Sequence, residues 1–411
     1  MAVKQLYPNQ RPSLNLNFAR SKTLDPRMTW TRNSIATYVG NDGLIKTAAA
    51  HEPRFGYHPT TLESLGLMIE SEDPQHVQYS EAFNNVYWTN DGNNITFVTG
   101  QTAPDGSSNA IKFTNSGGGE RLYKQNVYTH GTSNDKRFVF SIFGKWAGTN
   151  GSTVKLKIVL SITGTAECSW NLNTGEVVDG SNTGTNAKIH QYPNGWYRLE
   201  FNKGGSNNDV CDIEIITEQS DIILWGAQFE NKRSKNYASS YIPTSGSSLT
   251  RVADICGMVP AANWRDGLSV GTVFCKYYVL GKAQFGSVWR IGGSPSINWN
   301  GSAYDDETTN TPVKIQGNAG AAYATANGLF KPEIGVIGLS SGDSAYCING
   351  GLIRTSTRSI STPDSTTSLI TSNVSQYNNK CDGFICQFVF WPKRLTNDQI
   401  EDLSRMGEAV P

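Results

Sequence analysis

"VKLKIVLSI", residues 154–162, is the stretch that decides the fold. Val154, Leu156, Ile158 and Leu160 alternate with Lys155 and Lys157. A repeat of two places the aliphatic side chains on one face and the lysines on the other, the pattern of a half-buried β-strand. Upstream, "KRFVFSIFGKW" (136–146) is apolar on both faces, as a central strand of a two-sheet sandwich would be. Downstream, "GWYRLEF" (195–201), "VCDIEIIT" (210–217) and "SDIILWGAQFE" (220–230) continue the strand texture, with loops rich in Asn, Gly and Ser between them. Frequent turn signals without a convincing amphipathic helix predict an antiparallel sandwich of jelly-roll type over residues 75–244.

Composition agrees with an all-β chain. Of 411 residues, 35 are basic and 35 acidic, so the formal net charge is zero. Only 17% are charged, while 41 glycines and 10% aromatics supply turns and flat rings. A neutral, hydrogen-bonding surface argues against nucleic acid, which demands a basic stripe. Apolar runs are of strand length, which argues against membrane insertion. The opening "MAVKQLYPNQRPSLNLNF" lacks an apolar signal core, so synthesis without a signal peptide in a reducing cytoplasm is expected. The cysteines form no CxxC pair and no zinc spacing. Cys381 and Cys386 are an odd number of residues apart and would face opposite sides of one strand. The cysteines are read as small buried hydrophobes.

Two flanking stretches differ in texture. Residues 1–74 hold short elements: "SLNLNF" (13–18) alternates inward Leu14, Leu16 and Phe18. "ATYVGNDGLIKTAAA" (36–50) reads as a hairpin around Gly40 to Gly43, and "PRFGYHPTTLESLGLMIE" (53–70) turns at His58 to Thr61 before another strand. Such a stretch buries little by itself and is expected to pack on a neighbour or on a partner subunit. Residues 255–411 return to longer strands, "GTVFCKYYVL" (271–280), "GSVWRIGG" (286–293) and "EIGVIGLS" (333–340). In "AYCINGGLIRTS" (345–356), Asn349-Gly350 predicts a type I′ hairpin because both residues accept positive φ. At the end, Pro392 stops an apolar strand and Thr396 with Gln399 forms a capping box. Leu395 and Ile400 are placed as a hydrophobic staple, and Gly407 terminates the one expected helix. Between the flanks lies "YIPTSGSSLTRVAD" (241–254), polar and proline-broken, with 245–254 read as a connector.

The opening region resembles that of a family of bacteriophage virion proteins, tail-fibre-like or capsid-appendage. The matching residues are Thr31-Arg32 before a hairpin, Ala49-Ala50 with Pro53-Arg54-Phe55, and a closing Gly66-Leu67 with Glu70. Residues 225–254 resemble that family's end of a carbohydrate-binding-module-like jelly roll, where it hands over to the next domain. The third stretch resembles concanavalin A or laminin-G-like sandwiches, through Tyr346 to Gly350 and "FVFWPKRLTNDQIEDL" (388–403). The resemblance implies a virion-located structural protein that docks through residues 1–74 and presents two β-sandwiches for attachment to a host-surface glycan. Implied partners are other virion proteins and further copies of the chain, a trimer by analogy with fibres. Deleting residues 1–71 is then expected to leave soluble sandwiches that no longer enter particles. Two rivals stand beside this reading, a capsid or tail decoration protein without receptor binding and a polysaccharide depolymerase.

No catalytic constellation emerges, and the chain is expected not to be an enzyme. Residues 255–411 lack the Glu-x-Asp-x-x-Glu run of concanavalin-type glycan hydrolases. The histidines are dispersed, and "NSGGGERLYK" (115–124) lacks the Lys-Ser/Thr of a phosphate cradle. No cofactor is expected, except that Asp305 and Asp306 in "YDDET" could form a calcium loop or a plain solvated one. Sugar rings stack on flat aromatic side chains. Trp146, Trp264 and Trp299 stand beside Gly- and Asn-rich segments and are the glycan-stacking candidates, with half-buried packing at a sheet edge as the alternative for each. Trp170, Trp196, Trp225 and Trp391 sit in apolar runs and are assigned to cores.

Overall fold

The computed structural model describes residues 11–91 and 95–258, apart from 116, 118, 133–136, 179–184, 218 and 233–234. Beyond these it describes 270–280, 286–294, 297–306, 311–317, 320–324, 332–357, 369–370 and 382–407; side chains from 292 to 324 lie outside the description. The described chain is nearly all β, with one helix longer than a single turn or so, Asn397–Met406.

A central sandwich of two six-stranded sheets occupies the middle of the chain. One sheet runs Thr185–Gln191, Trp196–Gly204, Arg137–Asn150, Ser220–Lys232, Ala110–Asn115, Ile95–Gln101. The other runs Glu176–Val177, Gly164–Asn171, Thr153–Leu160, Val210–Thr217, Glu120–Thr129, Thr89–Asp91. Val154, Leu156 and Ile158 are each 0% exposed, and they face Phe138, Phe140 and Ile142 across the core. Arg137–Asn150 is central, bonded antiparallel on both sides. Its second face, with Val139 and Phe143, is buried as well, because another layer of the molecule covers it.

That layer leads into a second, composite sandwich. Its eight-stranded sheet runs Arg354–Ser356, Ser344–Ile348, Glu333–Ser340, Val270–Val279, Gly383–Trp391, Ser64–Ile69, Arg54–Tyr57, and Leu14–Asn17 also pairs with Gly383–Trp391. The facing seven-stranded sheet begins Met28–Thr31, Ile255–Met258, Leu369–Ile370, Gly286–Ser294. Two N-terminal strands thus share one edge of Gly383–Trp391 end to end. Leu67 to Ile69 lie opposite Ile385 to Gly383, and Leu14 to Asn17 opposite Phe390 to Gln387. Leu14, Leu16, Phe18 and Leu67 join Val273, Phe388 and Phe390 in one core. The expected packing of the first stretch on a neighbour is therefore met by the C-terminal stretch of its own chain. The expectation that residues 1–71 could be deleted to leave intact sandwiches needs correction, since removal would open a sheet edge and empty part of this core.

Local expectations at the C-terminus hold, with one adjustment. Thr396 and Gln399 exchange the two bonds of a capping box, at 3.3 and 3.1 Å, and Gly407 ends the helix at φ 76°. Leu395, Ile400 and Leu403 pack on Phe274, Val336 and Trp391 of the eight-stranded sheet. Asn349 and Gly350 have φ of 50° and 66°, and the Gly351 N–H closes the turn on the Ile348 carbonyl at 2.9 Å. The strands resume pairing only at Tyr346 and Arg354, so the loop is longer than two residues. The turn is instead held from outside: Asn349 accepts from the Ile334 N–H at 2.8 Å, and the Gly350 N–H donates to Ser404 at 2.8 Å.

The stretch 241–254 is anchored at its two ends, while residues 245–248 between them are exposed. Tyr241 and Ile242 are buried, and Leu249–Arg251 forms a two-stranded ladder with Asp73–Gln75. The Thr37 hydroxyl donates to the Tyr241 carbonyl at 2.5 Å, and Gln228 accepts from the Ile242 N–H at 2.7 Å. A connector read as polar and turn-rich is thus pinned to both sandwiches. The Thr244 hydroxyl donates to the Val77 carbonyl at 2.7 Å and Arg251 to Asp73 at 2.9 Å, so two of its polar side chains serve the interior. The described cysteines, Cys168, Cys211, Cys256, Cys275, Cys347 and Cys386, are buried, and Cys381 lies outside the described residues.

Candidate functional site

Between the sandwiches lies a buried ionic network. Arg54 bonds Glu70 at 2.7 Å and Asp254 at 2.5 Å, and Arg32 bonds Asp254 at 3.0 Å. Arg251 reaches Asp73 at 2.9 Å, and Lys235 reaches Asp382 at 2.6 Å. Ser240 donates to Glu70 from its N–H at 2.8 Å and its hydroxyl at 2.6 Å. Burial alone would raise the Glu70 carboxyl; Arg251 and Arg54 outweigh it and hold the group at about 2. Burial likewise opposes ionisation of Asp382, and Lys235 and Lys232 overcome it and depress its pKa. At Asp73 burial prevails and the pKa is raised, although Lys232 and Lys235 pull the other way. Such fully enclosed pairs fix geometry more than they add net stability. Of the residues on which the family resemblance rests, Arg32, Arg54 and Glu70 belong to this network.

An open cleft of about 740 Å³ lies next to the joint. Tyr38 comes from the hairpin Ala36–Val39 with Ile45–Ala48, whose tight loop contains Gly43 at φ 77°. Phe55 and Tyr57 are two apart on Arg54–Tyr57 and so share a face. Gly56 between them permits close contact with the composite sandwich, since a Cβ there would stand 2.3 Å from the Phe384 ring. All three rings are half-buried. Around them stand Lys22, Asn41, Lys46, Thr47 and Glu52. The Lys22 ammonium lies 5.4 Å from the Tyr57 ring centroid, and Lys46 pairs with Asp42 at 2.6 Å. Burial pushes the Tyr38 phenol up, with Glu52 adding to the effect, so the hydroxyl stays protonated and able to donate. Half-exposed rings bordered by amide, hydroxyl and charged groups match the two-sided chemistry of a sugar, apolar on its face and polar at its rim.

A second, narrower and partly open space of about 60 Å³ shares Tyr38 and Tyr57 with the cleft and has room for a few waters. Its lining includes Phe143, His190, Tyr192, Arg198 and Glu200 of the central sandwich and Phe384 of the composite one.

Of the sequence candidates whose side chains are described, Trp146 lines neither space. Trp146 sits near the end of Arg137–Asn150, half-buried against the central core, with its indole N–H donating to the Thr149 carbonyl at 3.2 Å. Trp264 lies outside the described residues. Trp299, Asp305 and Asp306 fall on Ile297–Asp306, so the acidic pair ends a strand, with Asp306 opposite Thr311, and is not in the loop that was expected. Among the described residues no cluster of His, Cys, Asp and Glu could hold a metal ion, and no helix is long and apolar enough to cross a membrane. Trp170, Trp196, Trp225 and Trp391 are buried as core residues. The cleft was overlooked because its rings are tyrosines and a phenylalanine on short strands. The alternation of Phe55 and Tyr57 about a glycine was the available signal.

The sequence matches no protein-family model and no curated protein. Solved structures share it only distantly. The CBM22-1–GH10 modules of Clostridium thermocellum endo-1,4-β-D-xylanase 10B, complexed with xylohexaose, are 17% identical at a TM-score of 0.26, over 42% of this chain and 30% of that one. Domain 4 of a Geobacillus stearothermophilus GH43 extracellular arabinanase, in complex with arabinotriose, gives 14% and 0.28, over 42% and 81%. Trypanosoma rangeli sialidase in complex with sialic acid gives 12% and 0.29, over 72% and 60%. The chain thus spans less than two thirds of the xylanase and sialidase chains. Likeness at such scores carries no argument about function.

Proposed function

We propose that this chain binds glycan without reacting with it, in the cleft walled by Tyr38, Phe55 and Tyr57, and that it does so as a host-attachment component of a bacteriophage virion. The observation that carries the binding reading is the cleft itself, three half-buried rings on rigid strands with Asn41, Thr47 and Glu52 at hydrogen-bonding range of its space. Glu52 is the one carboxylate among the described residues lining it. Two-carboxylate glycoside hydrolysis calls for an opposed pair, so binding suits this lining better than turnover. The virion setting rests on the sequence resemblance alone, and residues 1–74 would take part in docking as strands of the composite sandwich.

Glycan-array binding of the full chain against Tyr57→Ala tests the site. Stacking on one ring is worth about 0.5–1.5 kcal/mol, so up to tenfold weaker binding is expected, with an unchanged melting temperature. Equal binding by the variant would remove the cleft from consideration, and an array silent for the wild type would favour the decoration reading. Imaging of labelled particles tests the virion setting, which fails if the protein is absent from them.

A further inference from the structure

Three Asn-Gly pairs have described side chains, Asn150-Gly151, Asn194-Gly195 and Asn349-Gly350. Such a pair can react with itself, because glycine has no Cβ to hinder the approach of its nitrogen to the neighbouring side chain. Two of the three are held from elsewhere in the molecule. At Asn349, the side-chain oxygen accepts from the Ile334 N–H and the Gly350 N–H donates to the Ser404 hydroxyl, both at 2.8 Å. At Asn150, the side chain bonds Asp221, and the Gly151 N–H donates to the Gln219 carbonyl at 3.0 Å. Asn194 differs. It is exposed, and its side chain makes no hydrogen bond among the described residues. It sits at φ 60° and ψ 29° in the turn from Thr185–Gln191 to Trp196–Gly204. Local backbone closes that turn, the Trp196 N–H on the Pro193 carbonyl and the Tyr192 N–H on the Trp196 carbonyl. Pro193 also abuts the hairpin that carries Tyr38, since a Cβ on Gly43 would stand 2.5 Å from the Pro193 ring.

We propose that Asn194 is a site of spontaneous deamidation, and that its conversion to isoaspartate loosens the hairpin of Ala36–Val39 with Ile45–Ala48. The Gly195 nitrogen gives its proton to solvent base and forms a bond to the Asn194 Cγ. The Cγ–Nδ2 bond breaks, and ammonia leaves with a proton returned by solvent. Water then opens the five-membered imide, its hydroxyl going to a carbonyl carbon and its other proton to the nitrogen. Opening at the main-chain carbonyl routes the chain through Cβ, one carbon longer, and leaves a free carboxylate. The longer turn shifts the Pro193 ring that is pressed on Gly43. Attack requires rotation about the Asn194 backbone, which breaks bonds of that turn alone. Asn349 must also lose two bonds to other elements, so its reaction is expected to be about tenfold slower or more.

Incubation of the full chain in mildly alkaline buffer, followed by peptide mass mapping with isoaspartate scored by enzymatic methylation, is the test. The Asn194 peptide is expected to convert about tenfold faster, or more, than the Asn349 and Asn150 peptides. Asn194→Gly accepts the same φ and is expected to remove the signal from that peptide. An unmodified Asn194 overturns the assignment, as does Asn349 or Asn150 converting as fast in the wild type. Hydrogen exchange reads the consequence. Amides of residues 36–48 are expected to exchange faster in aged than in fresh wild type, and equally in aged and fresh Asn194→Gly. Equal exchange in aged and fresh wild type overturns the loosening, as does a rise that persists in Asn194→Gly. None of these readouts depends on glycan binding in the cleft.

Discussion

The two sheets of the central sandwich turn similar side chains outward into different surroundings. On the sheet containing Thr153–Leu160, charges form a ladder at the surface, with the lysines and Arg121 partly exposed around the buried Glu214. Lys155 pairs with Glu167 at 3.7 Å, Lys157 with Glu214 at 3.5 Å, and Arg121 with Glu214 and Asp91, both at 2.8 Å. On the sheet containing Arg137–Asn150, Glu230 and Lys232 are buried and connect through Asp73 to the joint network. Exposed pairs exchange one solvated state for another and are worth little. Buried pairs cannot be half-made, because removing one partner strands the other in a low-dielectric layer. The same chemistry is thus decorative on one face and decides the relative placement of two sandwiches on the other.

Four experiments would break or sharpen that contrast. The largest effect is expected from deleting residues 1–71, which removes Leu14–Asn17, Arg54–Tyr57 and Ser64–Ile69 together with Arg54 and Glu70. Loss of cooperative melting and of amide protection in Gly383–Trp391 is expected; a soluble protein protected there as in the full chain would refute the composite sandwich. Next, Glu70→Gln should lower stability by about 3–5 kcal/mol in denaturant titration, since it leaves Arg54 and Arg251 short of a counter-charge. A loss below about 1 kcal/mol would mean that the joint is wetter than its burial suggests.

Acid should act on the same site. Glu70 is depressed from an ordinary 4.5 to about 2, so its contribution is full above pH 4.5 and is lost as the pH falls through 2. The shift corresponds to about 3 kcal/mol. Asp382, also depressed, adds in the same direction, while the raised Asp73 opposes them. Melting temperatures measured from pH 6 to 2 should fall, and Glu70→Gln should flatten the fall; an unaltered profile in the variant would place the acid sensitivity elsewhere. The smallest effect belongs to the ladder. Lys157→Met should change stability by no more than about 1 kcal/mol, and added salt should shrink the difference further while leaving that of Glu70→Gln largely intact.

Legibility in the sequence followed the range of the interactions. Leu14, Leu16 and Phe18, the 154–160 alternation, the 36–48 hairpin, the Asn349-Gly350 turn and the Thr396 cap were readable because spacing and turn chemistry show within a few residues, whichever distant segment supplies the packing partner. The cleft was not, since Tyr38 and Tyr57 meet only when two hairpins dock. Arg198 looked like any polar residue of an amphipathic strand, because the layer that buries it is folded from residues far away in sequence.

What the sequence determined alone is therefore the all-β class, most strands and their inward faces, and the stops and caps of the terminal helix. Periodicity and turn chemistry act over a few residues and need no partner. Tertiary structure alone decided that Leu14–Asn17 and Ser64–Ile69 pair with Gly383–Trp391, a strand more than 300 positions later, as Asn17 opposite Gln387 shows. It alone decided too that Tyr241, Ile242, Arg251 and Asp254 of "YIPTSGSSLTRVAD" are buried. A strand edge and a serine-rich segment each carry unspent hydrogen bonds, and no local rule says which distant segment will satisfy them.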